Sequence, residues 1–152
     1  MRSDLSFRSP RVTDLVAIAA LEEKSFRSPW KEEFFAAELC TPGRFSLVVE
    51  SDSGRLLGYL FTMHFLDEMH VNKIAVDPAW RRGGLATAIM DRCFAFAIEK
   101  GIRVITLEVR ESNTAARALY GILGFEEAYV RPRYYPEGES AVVMVRTLRE
   151  EL

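Results

Sequence analysis

Two stretches of this chain carry residue types able to do chemistry. In Val104-Ile105-Thr106-Leu107-Glu108-Val109 a carboxylate sits near the end of an apolar run. Ile105, Leu107 and Val109 alternate with Val104, Thr106 and Glu108, the period of a strand. A carboxylate at the end of a largely buried strand costs free energy unless it is paired or used. Glu108 is therefore a candidate base, against the plainer reading of a strand-end glutamate reaching solvent. Beyond it, Asn113 and Tyr120 are two helical turns apart and fall on one side of a helix. Ala115, Ala118, Leu119 and Ile122 are then free to face the core. Tyr120 reads either as a proton donor or as an amphipathic core tyrosine.

The second stretch is Ile74-Ala75-Val76-Asp77-Pro78-Ala79-Trp80-Arg81-Arg82-Gly83-Gly84-Leu85-Ala86-Thr87. A strand runs into a short Arg- and Gly-rich loop, and a long helix starts directly after it. The first turn of a helix offers unpartnered N–H groups and a positive dipole end. Glycines let backbone approach an anion, and Arg81 and Arg82 add charge. A pyrophosphate suits such a cradle; a Gly-capped helix with two solvated arginines is the other reading. Neither the dinucleotide fingerprint nor a P-loop is present.

These residues need a scaffold, and periodicity supplies one. A short strand at 5–8 stops before Pro10. Thr13 is expected to cap a helix with Leu15, Ile18, Ala19 and Leu21/Glu22 on its apolar stripe. Ser28-Pro29-Trp30 reads as a second helix start, with Phe34, Phe35 and Leu39 inward and Pro42-Gly43 at its end. Strands at 45–50, 56–65 and 68–76 are joined by short connections and should be antiparallel. A helix over 85–100 presents Leu85, Ile89, Cys93, Phe96 and Ala97, and Gly101 ends it. A strand at 102–109, a helix at 113–123 and strands at 125–131 and 141–147 complete the chain. The strand–helix–strand unit between Val71 and Val109 should make a parallel pair. The expected fold is α/β: a mixed, mostly antiparallel sheet with a central parallel βαβ unit and helices on both faces.

Composition narrows the classes. The 152 residues suit one domain over 1–152. A formal net charge of -2 gives no basic field for nucleic acid. Cys40 and Cys93 form no framework and read as buried reduced thiols, and no Cys or His cluster has zinc-ligand spacing, so no metal is expected. The opening residues Met1-Arg2-Ser3-Asp4 lead into no apolar signal core. No apolar run nears the ~20 residues of a spanning helix. A soluble, cytoplasmic protein without a membrane partner is expected.

Arg81-x-x-Gly84-x-Ala86 resembles the Arg/Gln-x-x-Gly-x-Gly/Ala signature of the GNAT N-acetyltransferase family. Ile74-Ala75-Val76-Asp77-Pro78 resembles that family's strand before the cradle. Leu107-Glu108-Val109-Arg110-x-Ser112-Asn113-x-x-Ala116-x-x-Leu119-Tyr120-x-x-Leu123-Gly124-Phe125 resembles its second half, and the likeness runs on to Arg131-x-x-Tyr134-Tyr135-Pro136. Within the family the chain is most similar to bacterial ribosomal-protein-alanine N-acetyltransferases and related N-terminal acetyltransferases. The resemblance implies acetyl-CoA as cosubstrate and a protein N-terminus as partner, specifically the N-terminal alanine of a small-subunit ribosomal protein. It implies that the backbone of Ile74, Ala75 and Val76 pairs with the pantetheine arm. Arg81 and the run Arg82, Gly83, Gly84, Leu85, Ala86 and Thr87 would hold the pyrophosphate, with Asn113 on the cofactor. Glu108 becomes the general base through a water, and Tyr120 the acid that protonates the leaving thiolate.

Other positions stay open between two roles. His70 either assists deprotonation or makes a structural hydrogen bond. Phe26, Pro29 and Trp30, with Tyr134, Tyr135 and Pro136, either wall the acceptor cleft or pack as core and loop. Glu32, Glu33, Asp67 and Glu68 either attract a basic peptide or are solvated. Asn72 and Lys73 depart from the family pattern beside the acceptor path, so they bear on acceptor choice. An α-amine titrates at roughly 7.7–8.0 and a lysine at roughly 10.4, so deprotonation at neutral pH costs about 1 or about 4.6 kcal/mol. A lone glutamate meets the smaller demand more easily, which favours N-termini. Competing readings are a lysine or small-amine acetyltransferase and a non-catalytic acetyl-CoA sensor; the presence of both Glu108 and Tyr120 counts against the sensor.

Overall fold

Alternating apolar residues in the central strands bury both faces of one sheet, and helices cover each face. The computed structural model describes residues 4–148. In chain order the elements are β1 (Ser6–Arg8), α1 (Leu15–Ser25), α2 (Glu32–Cys40), β2 (Arg44–Glu50), β3 (Leu56–Phe65), β4 (Glu68–Val76), α3 (Leu85–Glu99), β5 (Val104–Arg110), α4 (Thr114–Ile122), β6 (Glu126–Arg131) and β7 (Ala141–Thr147). They build a seven-stranded sheet in the order β1-β2-β3-β4-β5-β7-β6. Every pairing is antiparallel except β4 with β5. The mixed sheet, its parallel βαβ unit and the helices on both faces are as the sequence predicts.

The sheet separates two cores. Under α3 and α4 lie Leu60, Ile89, Cys93, Ile105, Leu107, Val109, Tyr120 and Phe125. Under α1 and α2 lie Ile18, Leu21, Phe35, Tyr59, Phe61 and Ala75. Full burial of each large side chain contributes about 1.5–3 kcal/mol. Gly58 permits the close approach of α3 to the sheet. A Cβ there would meet Ala75 O at 2.8 Å and Ile89 Cδ1 at 3.3 Å.

The parallel pair is short, and this decides the site. β4 and β5 are in register only at Glu68↔Val104, Met69↔Ile105 and His70↔Thr106. Both strands run on, β4 bonded to β3 and β5 to β7. Past His70 the sheet therefore opens between its two central strands. β4 also carries a bulge. Thr62 pairs with Val71 and Phe61 with Lys73, so Asn72 is passed over. The extra residue turns Asn72 and Lys73 together toward α1 and α2.

Several local expectations are corrected. Thr13 lies inside a short 3-10 turn (Val12–Asp14), and the capping contact belongs to Asp14, whose Oδ2 accepts from the Arg11 amide at 2.7 Å. Arg8 grips the same carboxylate at 2.9 Å, and an ionised acceptor outcompetes a hydroxyl. Ser28-Pro29-Trp30 does not start a helix; α2 begins at Glu32. The Trp30 amide donates to the buried Glu22 carboxylate at 2.9 Å, which ties that segment to α1. On α4 the faces are reversed: Ala115, Ala118 and Ile122 are exposed, Leu119 is half-buried, and Tyr120 packs inward with Ala116 and Leu123. The phenyl ring outweighs the small alanines in apolar area. Cys93 is buried, but Cys40, at the exposed end of α2, is not. Residues 1–3, on which the reading of the chain's start partly rests, lie outside the described residues. Among the described residues no helix is long and apolar enough to cross a membrane.

Candidate active site

The opening between β4 and β5 gathers the chemistry-bearing side chains, and alternation sorts them. Leu107 and Val109 point into the α3/α4 core, so Thr106 and Glu108 point to the α1/α2 face. His70, the last residue of β4 paired with β5, meets them there. Its Nε2 lies 3.1 Å from Glu108 Oε1, and its Nδ1 lies 2.7 Å from Thr106 Oγ1. With the threonine hydroxyl donating to Nδ1, a neutral ring carries its proton on Nε2 and donates to the carboxylate. That bond from His70, with burial opposing it, holds Glu108 below the usual carboxylate range. Tyr134 OH also donates to Oε1, at 3.4 Å. Both partners use one oxygen, so Oε2 has no protein partner among the described residues.

On the other face the strand-to-helix connection forms an open helix N-terminus. Gly84 is the N-cap of α3 with a φ of 82° and no side-chain cap bond. The first intrahelical bond there runs from the Ala88 amide to Gly84 O at 3.0 Å, so the amides before Ala88 are left for an anion. Arg82 holds a φ of 63°, a left-handed backbone unusual for its type. Arg81 through Gly84 are exposed and Ala86 and Thr87 half-buried, whereas the Leu85 side chain is core. Leu85 can thus offer only its amide. Arg81 ties the loop to the strand by donating from Nε to Val76 O at 3.1 Å. The Ile74, Ala75 and Val76 side chains pack into the two cores, and their backbone edge faces the opening. An uncapped helix end beside an unpaired strand edge fits a diphosphate with an extended amide-bearing arm.

The remaining predicted residues fall into place around these. Asn113 Oδ1 caps α4, accepting from the Ala116 amide at 3.1 Å, which leaves its amide nitrogen available. Tyr120 is 7% exposed and edge-on to Phe125 at 5.8 Å, and burial pushes its phenol well above the usual tyrosine range. Glu108 and Tyr120 stand on opposite faces of the sheet. Phe26 and Trp30 are half-buried around the Lys73 ammonium, 4.0 and 5.4 Å from the ring centroids. Tyr134 and Tyr135 lie edge to face at 5.1 Å, in the loop over Glu108. Pro29 and Pro136 are exposed loop residues, and Glu32, Glu33, Asp67 and Glu68 are exposed.

The family model described as the Acetyltransferase (GNAT) family matches residues 15–125. The chain belongs to the GNAT family. This GNAT chain is 37% identical, over 90% of its length and 93% of the relative's, to the [ribosomal protein bS18]-alanine N-acetyltransferase of Escherichia coli (strain K12). It is 33% identical, over 99% of its length and 100% of the relative's, to a putative enzyme of that name from Bacillus subtilis (strain 168). The crystal structure of the ribosomal-protein-S18-alanine N-acetyltransferase from Escherichia coli superposes with a TM-score of 0.88, covering 97% of this chain and 96% of that one at 33% identity. This GNAT protein is an N-acetyltransferase.

Sequence reasoning missed three contributors. Glu22 was legible only as a charge inside an apolar stripe; that misfit is the signal of a buried partner. Thr106 carried no signal apart from its strand position beside Glu108. A strap was invisible: Arg110 stacks 4.0 Å from the Tyr135 centroid and bonds Glu137 and Glu139. Glu139, held at about 2 chiefly by its bonds to Ser112 and also by Arg110, faces Arg27 at 3.9 Å. Ser28 Oγ lies 3.5 Å from Glu137, so the loops 26–31 and 132–140 meet over the site.

Proposed function

We propose that this enzyme acetylates a protein N-terminal α-amine from acetyl-CoA, with the N-terminal alanine of a small-subunit ribosomal protein as acceptor. The observation that carries the reading is the opening between β4 and β5. An uncapped helix N-terminus lies on one face of it, and an ionised, half-oriented Glu108 on the other. The similarity to bS18-alanine acetyltransferases points to the acceptor class.

In this reading acetyl-CoA lies along the edge of Ile74, Ala75 and Val76 with its diphosphate on the amides of residues 82–87. The acceptor enters from the α1/α2 face between Phe26, Trp30, Tyr134 and Tyr135. Glu108 takes the ammonium proton, directly or through a water, at its free Oε2. The neutral amine attacks the thioester carbonyl, the C–S bond breaks, the thiolate takes a proton from Tyr120, and the second proton that the nitrogen sheds on becoming an amide restores the phenol. Burial keeps that phenol protonated, so the proton is on hand; the transfer becomes favourable as the thiolate, desolvated in the same gap, grows more basic.

Turnover of acetyl-CoA is to be measured with an Ala-started ribosomal peptide, a lysine peptide with a blocked N-terminus, and spermidine. The expected result is a kcat/KM for the first at least about 100-fold above the others, in line with the α-amine's smaller deprotonation cost. Equal or higher rates on the lysine peptide or spermidine would overturn the acceptor. No turnover on any of the three, with acetyl-CoA bound, would favour a sensor.

A further inference from the structure

Glu22 is completely buried, yet its carboxylate has three donors. Tyr59 OH bonds Oε1, while Lys73 Nζ at 2.7 Å and the Trp30 backbone amide at 2.9 Å share Oε2. Lys73 reaches this position because the bulge at Asn72 turns it to the α1/α2 face. Its side chain is 13% exposed. A buried ion pair adds little stability over a well-packed apolar pair of the same volume, so its consequence is geometric. The pair grips the loop 26–31 by its backbone through Trp30 and by its side chains through the Phe26 and Trp30 rings. Asn72 adds a second link, from Nδ2 to Glu38 Oε1 at 3.4 Å. The next residue on β4 is Ile74, where the exposed edge proposed for acetyl-CoA begins.

Resting on the acetyl-transfer reading, we propose that Lys73 and Glu22 are a positioning pair. They fix the aromatic acceptor wall one residue from the cosubstrate edge and so decide which amines reach the opening. They do not touch the reacting atoms. A wall held this rigidly admits a first residue with a small side chain and resists a bulky one.

The test is the double variant Glu22→Gln/Lys73→Met, which leaves neither buried charge alone. It is to be compared with wild type on peptides beginning with Ala and with Phe. The expected result is a KM for the Ala peptide raised about tenfold, with kcat and acetyl-CoA affinity within about threefold of wild type. The preference for Ala over Phe should narrow by a similar factor, and amide exchange at Trp30 should speed up. A double variant that melts like wild type and keeps its KM and Ala preference overturns the proposal. So does one whose kcat and acetyl-CoA affinity fall together, since that would be a general defect of packing. If wild type acetylates neither peptide, the acceptor reading fails by itself. Trp30 exchange then still decides the pair: unchanged exchange in the double variant refutes the tether.

Discussion

The two faces of the sheet meet at one gap but are built from different materials. The α3/α4 face offers backbone: the amides of an uncapped helix, a left-handed Gly84 and the edge of β4. The α1/α2 face offers paired polar side chains: Glu108 with His70, Glu22 with Lys73, and Asp14 with Arg8. Backbone recognition suits a ligand whose shape never varies and needs only local geometry. Side-chain networks join residues far apart in the chain, and they suit an acceptor that must be oriented and deprotonated. One face can therefore be disabled through backbone geometry at the helix start, and the other through a side chain or its partner.

The largest effect is expected on the backbone face. Gly84→Glu forces a side chain into a φ of 82° and sets a negative charge at the cradle, and acetyl-CoA affinity should fall by about 100-fold or more. Calorimetry checks this, and retained micromolar affinity would break the assignment of the cradle. Glu108→Gln should leave that affinity intact and cut kcat/KM by about 10²–10³-fold. In the wild type, Glu108 stays ionised well below neutral pH because His70 holds it low. With Glu108 as base toward a bound ammonium, the acid limb of kcat/KM should lie below the usual carboxylate range and the alkaline limb should follow the acceptor amine at roughly 7.7–8.0; an acid limb at the amine's own value would mean that the amine loses its proton before it binds. Tyr120→Phe should lower kcat by about 10–100-fold with acetyl-CoA affinity unchanged. Equal losses in both would reduce Tyr120 to a core residue.

The smallest effect concerns stability. Asp14 is lowered from 3.8, chiefly by its bond to Arg8 with burial opposing. A carboxylate depressed in the folded state stabilises above its unfolded value, and that contribution is lost as pH falls through the folded value. Asp14→Asn should cost about 1 kcal/mol at neutral pH and nothing at the acid end, flattening the acid limb of Tm against pH. An unchanged limb would show that the clamp between β1 and α1 does not hold that face in place.

Much of the scaffold was legible because it is local. Strand period, the Gly-Gly helix start and the carboxylate in an apolar strand each lie within a few residues. The corrected points are those where a distant group outbid a local signal. The segment around Trp30 is tied to α1 through its amide on Glu22, a contact between elements that no local pattern shows. Thr13 would have capped α1 had Arg8 not fixed Asp14. The α4 faces reversed because Tyr120 found Phe125 and the main core, while Ile122 is left 83% exposed.

By itself the sequence determined the order of elements, the glycine-led start of α3 and the presence of a carboxylate and a phenol close together in the second half of the chain, since these depend on residue type and short spacing. Only the tertiary structure decided that β4 and β5 part after His70, that Glu108 and Tyr120 stand on opposite faces of the sheet, and that a bulge sends Lys73 to Glu22. Those facts depend on strand register and on contacts between residues such as Glu22 and Lys73, distant in the chain, which no local pattern encodes.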